Sequence, residues 1–248
     1  MSQLREKGWL RSLTGVEAPA VRLLCFPHSG GSATAFSDWA AATPPGVDLV
    51  GVQYPGRGDR FVEDTVDDVA EMAGHTVAEL LRLPRSRYVL FGHSLGAVVA
   101  YEAALLLRDM AEEPGKLCVS ACLPPGHMRK RDIHSLPDDM FWEALVGLGG
   151  IAPEIAESAE LRELLLPALR SDLRAHATYQ PACGTKPLLC PVTCYHGSGD
   201  PLADEGTLAR WAGVTTGDFA LRVRPGGHFH VTGDVAGLVS DVLGPAPV

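Results

Sequence analysis

Nowhere in its 248 residues does the chain approach the ~18 consecutive apolar residues that a membrane-crossing helix needs. A basic surplus is missing as well. Lys and Arg number 21 against 30 Asp and Glu, a net charge of −9, which argues against nucleic acid or an anionic membrane as a general partner. The six cysteines (25, 118, 122, 183, 190 and 194) form no C-x-x-C pair. They lie in apolar stretches and read as small core hydrophobes of a reducing compartment. Cys190 and Cys194 followed by His196 lack a fourth ligand nearby, so neither a metal nor another cofactor is expected. Internal repeats and low-complexity segments are also absent. Met1 to Gly8 has no apolar core of a signal peptide, so the expected location is the cytoplasm. What is left, with 46% hydrophobic and 21% charged residues, is the balance of a soluble globular chain. Its length suits one α/β domain spanning residues 1–248.

The stretch that organises this chain is residues 87–107. Tyr88-Val89-Leu90-Phe91 has the make-up of a buried strand, Gly92-His93-Ser94-Leu95-Gly96 follows at once, and Ala97 to Leu107 is helix-forming. In a chain with 27 glycines the bare G-x-S-x-G pattern arises readily by chance. Strand, motif and helix in immediate succession is different, because that is the context of a nucleophile elbow. A serine in so tight a turn is strained and projects its hydroxyl above the sheet, and side chains two positions either side would collide. The helix N-terminus behind it favours developing negative charge.

Elsewhere the chain alternates. Strands are expected at 21–26, 48–54, 117–123, 192–196 and 219–223, with helices at 33–42, 65–83, 203–211 and 235–243, and residues 1–18 as an N-terminal arm. Alternation of this kind predicts an α/β fold with a mostly parallel central sheet and helices on both faces. It breaks between residues 124 and 187, where helices at 138–148, 153–156 and 159–179 replace strands. Apolar residues such as Met140, Phe141, Trp142 and Leu145 make this insertion read as a lid.

In an open parallel sheet, reactive groups gather beyond the carboxyl ends of the strands. Three such ends carry Ser94, Asp200 and His228, in the chain order of the α/β-hydrolases. His228 is the expected general base and Asp200 the group that orients it. His93, His196 and His230 compete for the base, His230 most seriously, and Asp204 competes for the acid. The oxyanion hole needs two backbone donors. Leu95 N–H is one; Ser29 is the choice for the other, with Gly30 as alternative.

Taken together these residues resemble the type II thioesterases, stand-alone partners of modular polyketide synthases and nonribosomal peptide synthetases. Cys25-Phe26-Pro27-His28-Ser29-Gly30-Gly31-Ser32-Ala33 is similar to that family's C-F-P-H-A-G-G-S-A signature, and Tyr54-Pro55-Gly56-Arg57-Gly58-Asp59-Arg60 to its Y-P-G-R-G-x-R loop. Leu136-Pro137-Asp138-Asp139 and the segment Leu164 to Asp172 resemble its lid. One departure stands out. The family usually has a Ser-Gly-Arg-Arg-Ala-Pro-like stretch where this chain has Ser120-Ala121-Cys122-Leu123-Pro124-Pro125, and Met128-Arg129-Lys130-Arg131 follows slightly later. It falls at the floor of the acyl pocket and the lid hinge, not at the triad.

The resemblance implies an α/β-hydrolase fold and hydrolysis of acyl thioesters from the phosphopantetheine arm of acyl or peptidyl carrier proteins, which edits blocked synthases. Arg129, Lys130 and Arg131 then become a candidate basic site for the acidic carrier or the arm's phosphate. A general carboxylesterase, an acyltransferase and a non-catalytic binding protein of the same fold are the competing readings.

Overall fold

The computed structural model describes residues 8–128, 132–148, 151 and 153–244, so Arg129, Lys130 and Arg131 lie outside the described residues. In chain order the described elements are β1 (Leu10–Ser12), β2 (Val21–Phe26), β3 (Val47–Val52), α1 (Val69–Leu80), β4 (Arg87–His93), α2 (Leu95–Asp109) and β5 (Lys116–Ser120). There follow α3 (Asp138–Gly147), α4 (Pro153–Ala156), α5 (Ala159–Thr178), β6 (Val192–Gly197), α6 (Glu205–Leu208), β7 (Phe219–Arg224) and α7 (Val235–Leu243). The strands form one sheet in the order β1-β3-β2-β4-β5-β6-β7. All pairings are parallel except that of β1 with β3. Parallel pairing puts the carboxyl ends of β2, β4, β5, β6 and β7 along one edge, where the candidate residues follow.

Side chains alternate across a strand, so a sheet covered on both faces needs unbroken apolar runs. On one face Leu24, Phe26, Leu90 and Val119 pack with Met72 and Val77 of α1 and Val98 and Ala104 of α2. On the other, Leu23, Leu49, Val89 and Phe91 pack with Phe36, Trp39 and, from α7, Leu238, Val239 and Val242. Each such large side chain contributes about 1.5–3 kcal/mol through burial. Helix starts are fixed by caps: Asp68 accepts from Glu71 N–H at 2.9 Å, and Asp234 from Gly237 N–H at 2.9 Å.

Between β5 and β6 the described residues form no strand of the sheet; α3, α4 and α5 build their own small core of Phe141, Trp142, Leu145 and Leu169. No helix among the described residues is long and apolar enough to cross a membrane.

Several local readings need correction. The expected N-terminal arm contains β1, whose Leu10 pairs with Val52; three residues are too few to show a strand's alternation. Residues Ala33–Ala42 form the expected helix, as a 3-10 helix, whereas the helix expected at 203–211 divides into α6 and a 3-10 segment, Ala209–Val214. β5 stops at Ser120 because Ala121 adopts a left-handed φ of 52°, which ends the ladder. Five cysteines are buried as expected, but Cys183 is exposed.

Candidate active site

Ser94 sits between β4 and α2 with φ 55° and ψ −119°, a conformation strained for any residue with a side chain. The turn closes only because Gly92 and Gly96 lack side chains. A Cβ on Gly92 would lie 2.0 Å from the Gly96 carbonyl oxygen, and one on Gly96 2.0 Å from that of Phe26. From below, the Ser94 N–H donates to the Ser120 carbonyl at 2.8 Å.

The loops after β6 and β7 bring the other two residues over. They are stitched together by Ser198 N–H to Arg224 O and Gly199 N–H to Gly226 O, both 2.8 Å. His228 then places Nε2 3.1 Å from Ser94 Oγ and Nδ1 2.9 Å from Asp200 Oδ2. A carboxylate only accepts, so Nδ1 carries the proton and Nε2 is free to accept from the hydroxyl. Burial alone pushes the Asp200 carboxyl up. Hydrogen bonds from His228 and from Leu202 N–H (2.9 Å) outweigh it and hold the group below its ordinary value.

The competing residues lie outside this run. His93 Nδ1 and His230 Nε2 each lie 3.0 Å from the hydroxyl of Ser120, forming one buried hydrogen-bonded chain. Burial drives both histidines' pKa values down, that of His230 to about 4, so they stay neutral. Asp204 caps α6, accepting from Thr207 N–H at 2.8 Å. His196 is buried at the end of β6, before the loop that carries Asp200.

For the oxyanion, Leu95 N–H opens the first turn of α2, where no helical partner exists. In the loop after β2, Gly31 N–H donates to His28 O (2.9 Å) and Gly30 N–H to Asp172 Oδ2 (2.7 Å). Both N–H groups are thereby engaged; Ser29, the expected second donor, lines a cavity of ≈ 140 Å³ together with Ser94 and His228.

A family model described as "Thioesterase domain" matches residues 21–243. The chain belongs to the thioesterase family. It is 40% identical over 225 residues to a probable cadicidin biosynthesis thioesterase of Streptomyces griseus, covering 90% of this chain and 62% of that protein. Against thioesterase PikA5 of Streptomyces venezuelae it is 38% identical, with 94% and 84% covered. The solved structure of BorB, a type II thioesterase from the borrelidin biosynthetic cluster, superposes with a TM-score of 0.87 at 33% identity, covering 98% and 100% of the two chains. That likeness agrees with the expected α/β-hydrolase architecture.

Two spaces flank Ser29 in this thioesterase. The Ser94 cavity is walled mainly by Leu123, Met128, Ile133, Leu148 and Leu173. Cys122 and His176 add its polar points, Sγ and Nε2 lying 3.6 Å apart. Burial pushes that thiol up to about 12 and the imidazole down to about 4, so both remain neutral. A larger groove of ≈ 1150 Å³ runs between His28, Ser29, Gly30 and Phe229 on one side and Trp142, Ile155 and Leu165 on the other.

Beside the site, two buried polar features carry no role in the sequence reading. One is the His93–Ser120–His230 chain. The other is an ion pair between Arg57 and Asp172, whose Nη2 and Oδ1 lie 2.8 Å apart. Arg57 and Asp172 each fall within a quoted family motif, but motifs 115 residues apart give no sign that they touch.

Proposed function

We propose that the chain is a serine thioesterase that hydrolyses acyl thioesters from the phosphopantetheine arm of acyl or peptidyl carrier proteins, as an editing (type II) enzyme of a polyketide or nonribosomal peptide pathway. The observation that carries this reading is the hydrogen-bonded run Asp200–His228–Ser94 opening on an apolar cavity, in a chain of the thioesterase family.

Ser94 Oγ attacks the thioester carbonyl carbon as its proton passes to His228 Nε2. The oxyanion that forms is held by the N–H groups of Leu95 and Ser29, donors already in place before the charge appears. Collapse breaks the C–S bond, and the imidazolium returns its proton to the leaving sulfur. Asp200 stabilises that imidazolium throughout. Water then enters, gives a proton to His228 and attacks the acyl-serine ester; the acid departs and Ser94 regains its proton.

The insertion of residues 124–187 acts as a lid. Its helices supply most of one wall of the groove, keep bulk water from the acyl-enzyme and present the acyl cavity to the arm. Arg129, Lys130 and Arg131 belong to this reading only as a sequence-level candidate for recognising the carrier.

The test is a panel of acyl groups loaded on a carrier protein, run beside matched oxygen esters, with Ser94→Ala as control. Faster hydrolysis of the carrier thioesters, abolished by the control, supports the assignment. Equal or faster turnover of simple oxygen esters would mark a general esterase instead.

A further inference from the structure

Asp172 lies on α5, within the insertion, yet its carboxylate is completely buried, against the loops that follow β2 and β3. Both its oxygens are engaged. Oδ1 accepts from Arg57 Nη2 at 2.8 Å, and Oδ2 accepts from Arg57 Nη1 and, at 2.7 Å, from the backbone N–H of Gly30. Arg57 comes from the loop after β3, is 4% exposed, and holds its guanidinium 5.3 Å from the centre of the Tyr54 ring. One turn earlier on α5, Leu169 covers the same glycine: a Cβ on Gly30, whose φ is +76°, would meet Leu169 Cδ2 at 2.6 Å. Residues three apart on a helix share a face. The face of α5 that carries Leu169 and Asp172 is therefore seated on Gly30.

Gly30 is the residue after Ser29. Rotation of the Ser29–Gly30 peptide would swing its N–H off the carboxylate and shift the adjacent donor with it. A bidentate Arg–carboxylate pair fixes the direction of that acceptor more tightly than a single contact would. Burying such a pair contributes little net stability, because desolvation offsets the attraction. Placement is the property it secures.

The geometry points to Asp172 as a positioning residue that aims the Ser29 N–H at the developing oxyanion, with Arg57 holding the carboxylate in place, so that the oxyanion hole is set only while α5 of the lid is seated. This rests on Ser29 being the second oxyanion donor. Asp172 does not touch the reacting atoms; it acts through the peptide it holds.

The experiment uses the full chain and separates placement from stability. Arg57→Met with Asp172→Leu replaces the pair by apolar groups of similar size, a change usually neutral or stabilising, but strips Gly30 of its acceptor. Arg57→Met with Asp172→Asn leaves an amide oxygen for Gly30 and no charge. Three readouts are taken: melting temperature, kcat and KM on an acyl-carrier thioester, and inhibition by a trifluoromethyl ketone analogue, whose hemiketal oxyanion must sit in the hole.

For the leucine pair we expect kcat to fall about 10- to 100-fold with KM within about threefold. Ketone inhibition should weaken in parallel, and melting should hold at or above wild type. The asparagine pair should recover most of the loss. Native kcat in the folded leucine pair overturns the proposal; so does a loss of kcat with ketone binding intact, or no recovery with asparagine. Should the leucine pair not fold, Asp172→Ser beside Arg57→Met, too short to reach Gly30, replaces it under the same criteria. Failure of the underlying mechanism reads differently: wild-type turnover by Ser94→Ala removes the nucleophile, whatever the Asp172 variants do.

Discussion

The sheet with its carboxyl-edge loops and the inserted helices face each other across Ser29, and they are built on different terms. At the sheet edge, position is set by backbone. The elbow closes on carbonyl oxygens that leave no room for a methyl group, and the loops carrying Asp200 and His228 are laced by main-chain hydrogen bonds. In the insertion, position is set by a core of a few side chains, while Met140, Val146, Leu161 and Leu164 stay exposed. Chemistry needs atoms held to fractions of an ångström; choice among acyl groups needs a wall that can yield. The molecule assigns each demand to the part that can meet it.

The largest expected effects sharpen the first half of that contrast. Ser94→Ala and His228→Ala should each lower kcat by about 10⁴-fold or more. Asp200→Asn should lose about 10⁴-fold, because the amide no longer selects the tautomer with its proton on Nδ1. All three should melt close to wild type in a thermal scan, since none fills the core. A comparable loss from an insertion residue outside the Asp172 contact would break the division just drawn.

Next comes one substitution made in both regions. Leu90→Ala in the middle of β4 opens a cavity between the sheet and α2, and should cost toward the upper part of the 2–5 kcal/mol range for such truncations. Leu145→Ala in α3 should fall near its lower end, since the small cluster around it can collapse. Denaturant unfolding measures both. The leucine of β4 should lower global stability with KM little changed, whereas that of α3 should move KM. The reverse pattern would mean that the insertion, not the sheet, limits stability.

The same contrast explains what could be read from residues alone. Ser94 follows β4 directly, and Asp200 and His228 each follow a strand by a short glycine-bearing loop, so local signals place them in one row once the sheet is parallel. Leu95 came with the elbow. Spacing alone offers both Ser29 and Gly30 as second donor; that the Gly30 N–H has Asp172 as its acceptor is a contact across 142 residues that no spacing encodes. Likewise the chain His93–Ser120–His230 joins the last residues of β4 and β5 to a residue beyond β7, and their types say nothing of their partners. Short or irregular pieces were misread for another reason: β1 is too brief for a period, and the 3-10 segments carry the residue types of α-helices. Ala121 hides a left-handed turn behind an ordinary alanine.

The smallest effect concerns acid, and it asks which region gives way first. His230 on the sheet side and His176 on α5 both titrate near pH 4 in the folded chain, lowered chiefly by burial. In the unfolded chain each titrates near ~6.5. Between those values the unfolded state binds more protons, so each group's contribution is intact above ~6.5 and is lost as pH falls toward 4. The insertion has the smaller core and less to lose before it opens locally. Limited proteolysis across this range should therefore nick residues 132–178 before the melting temperature of the whole chain collapses. His176→Gln, which keeps a polar side chain near Cys122 but cannot take up the proton, should move the onset of nicking to lower pH and leave the later global transition in place. If that variant instead shifts the global transition, the insertion is not an independently opening unit, and its helices share one cooperative structure with the sheet.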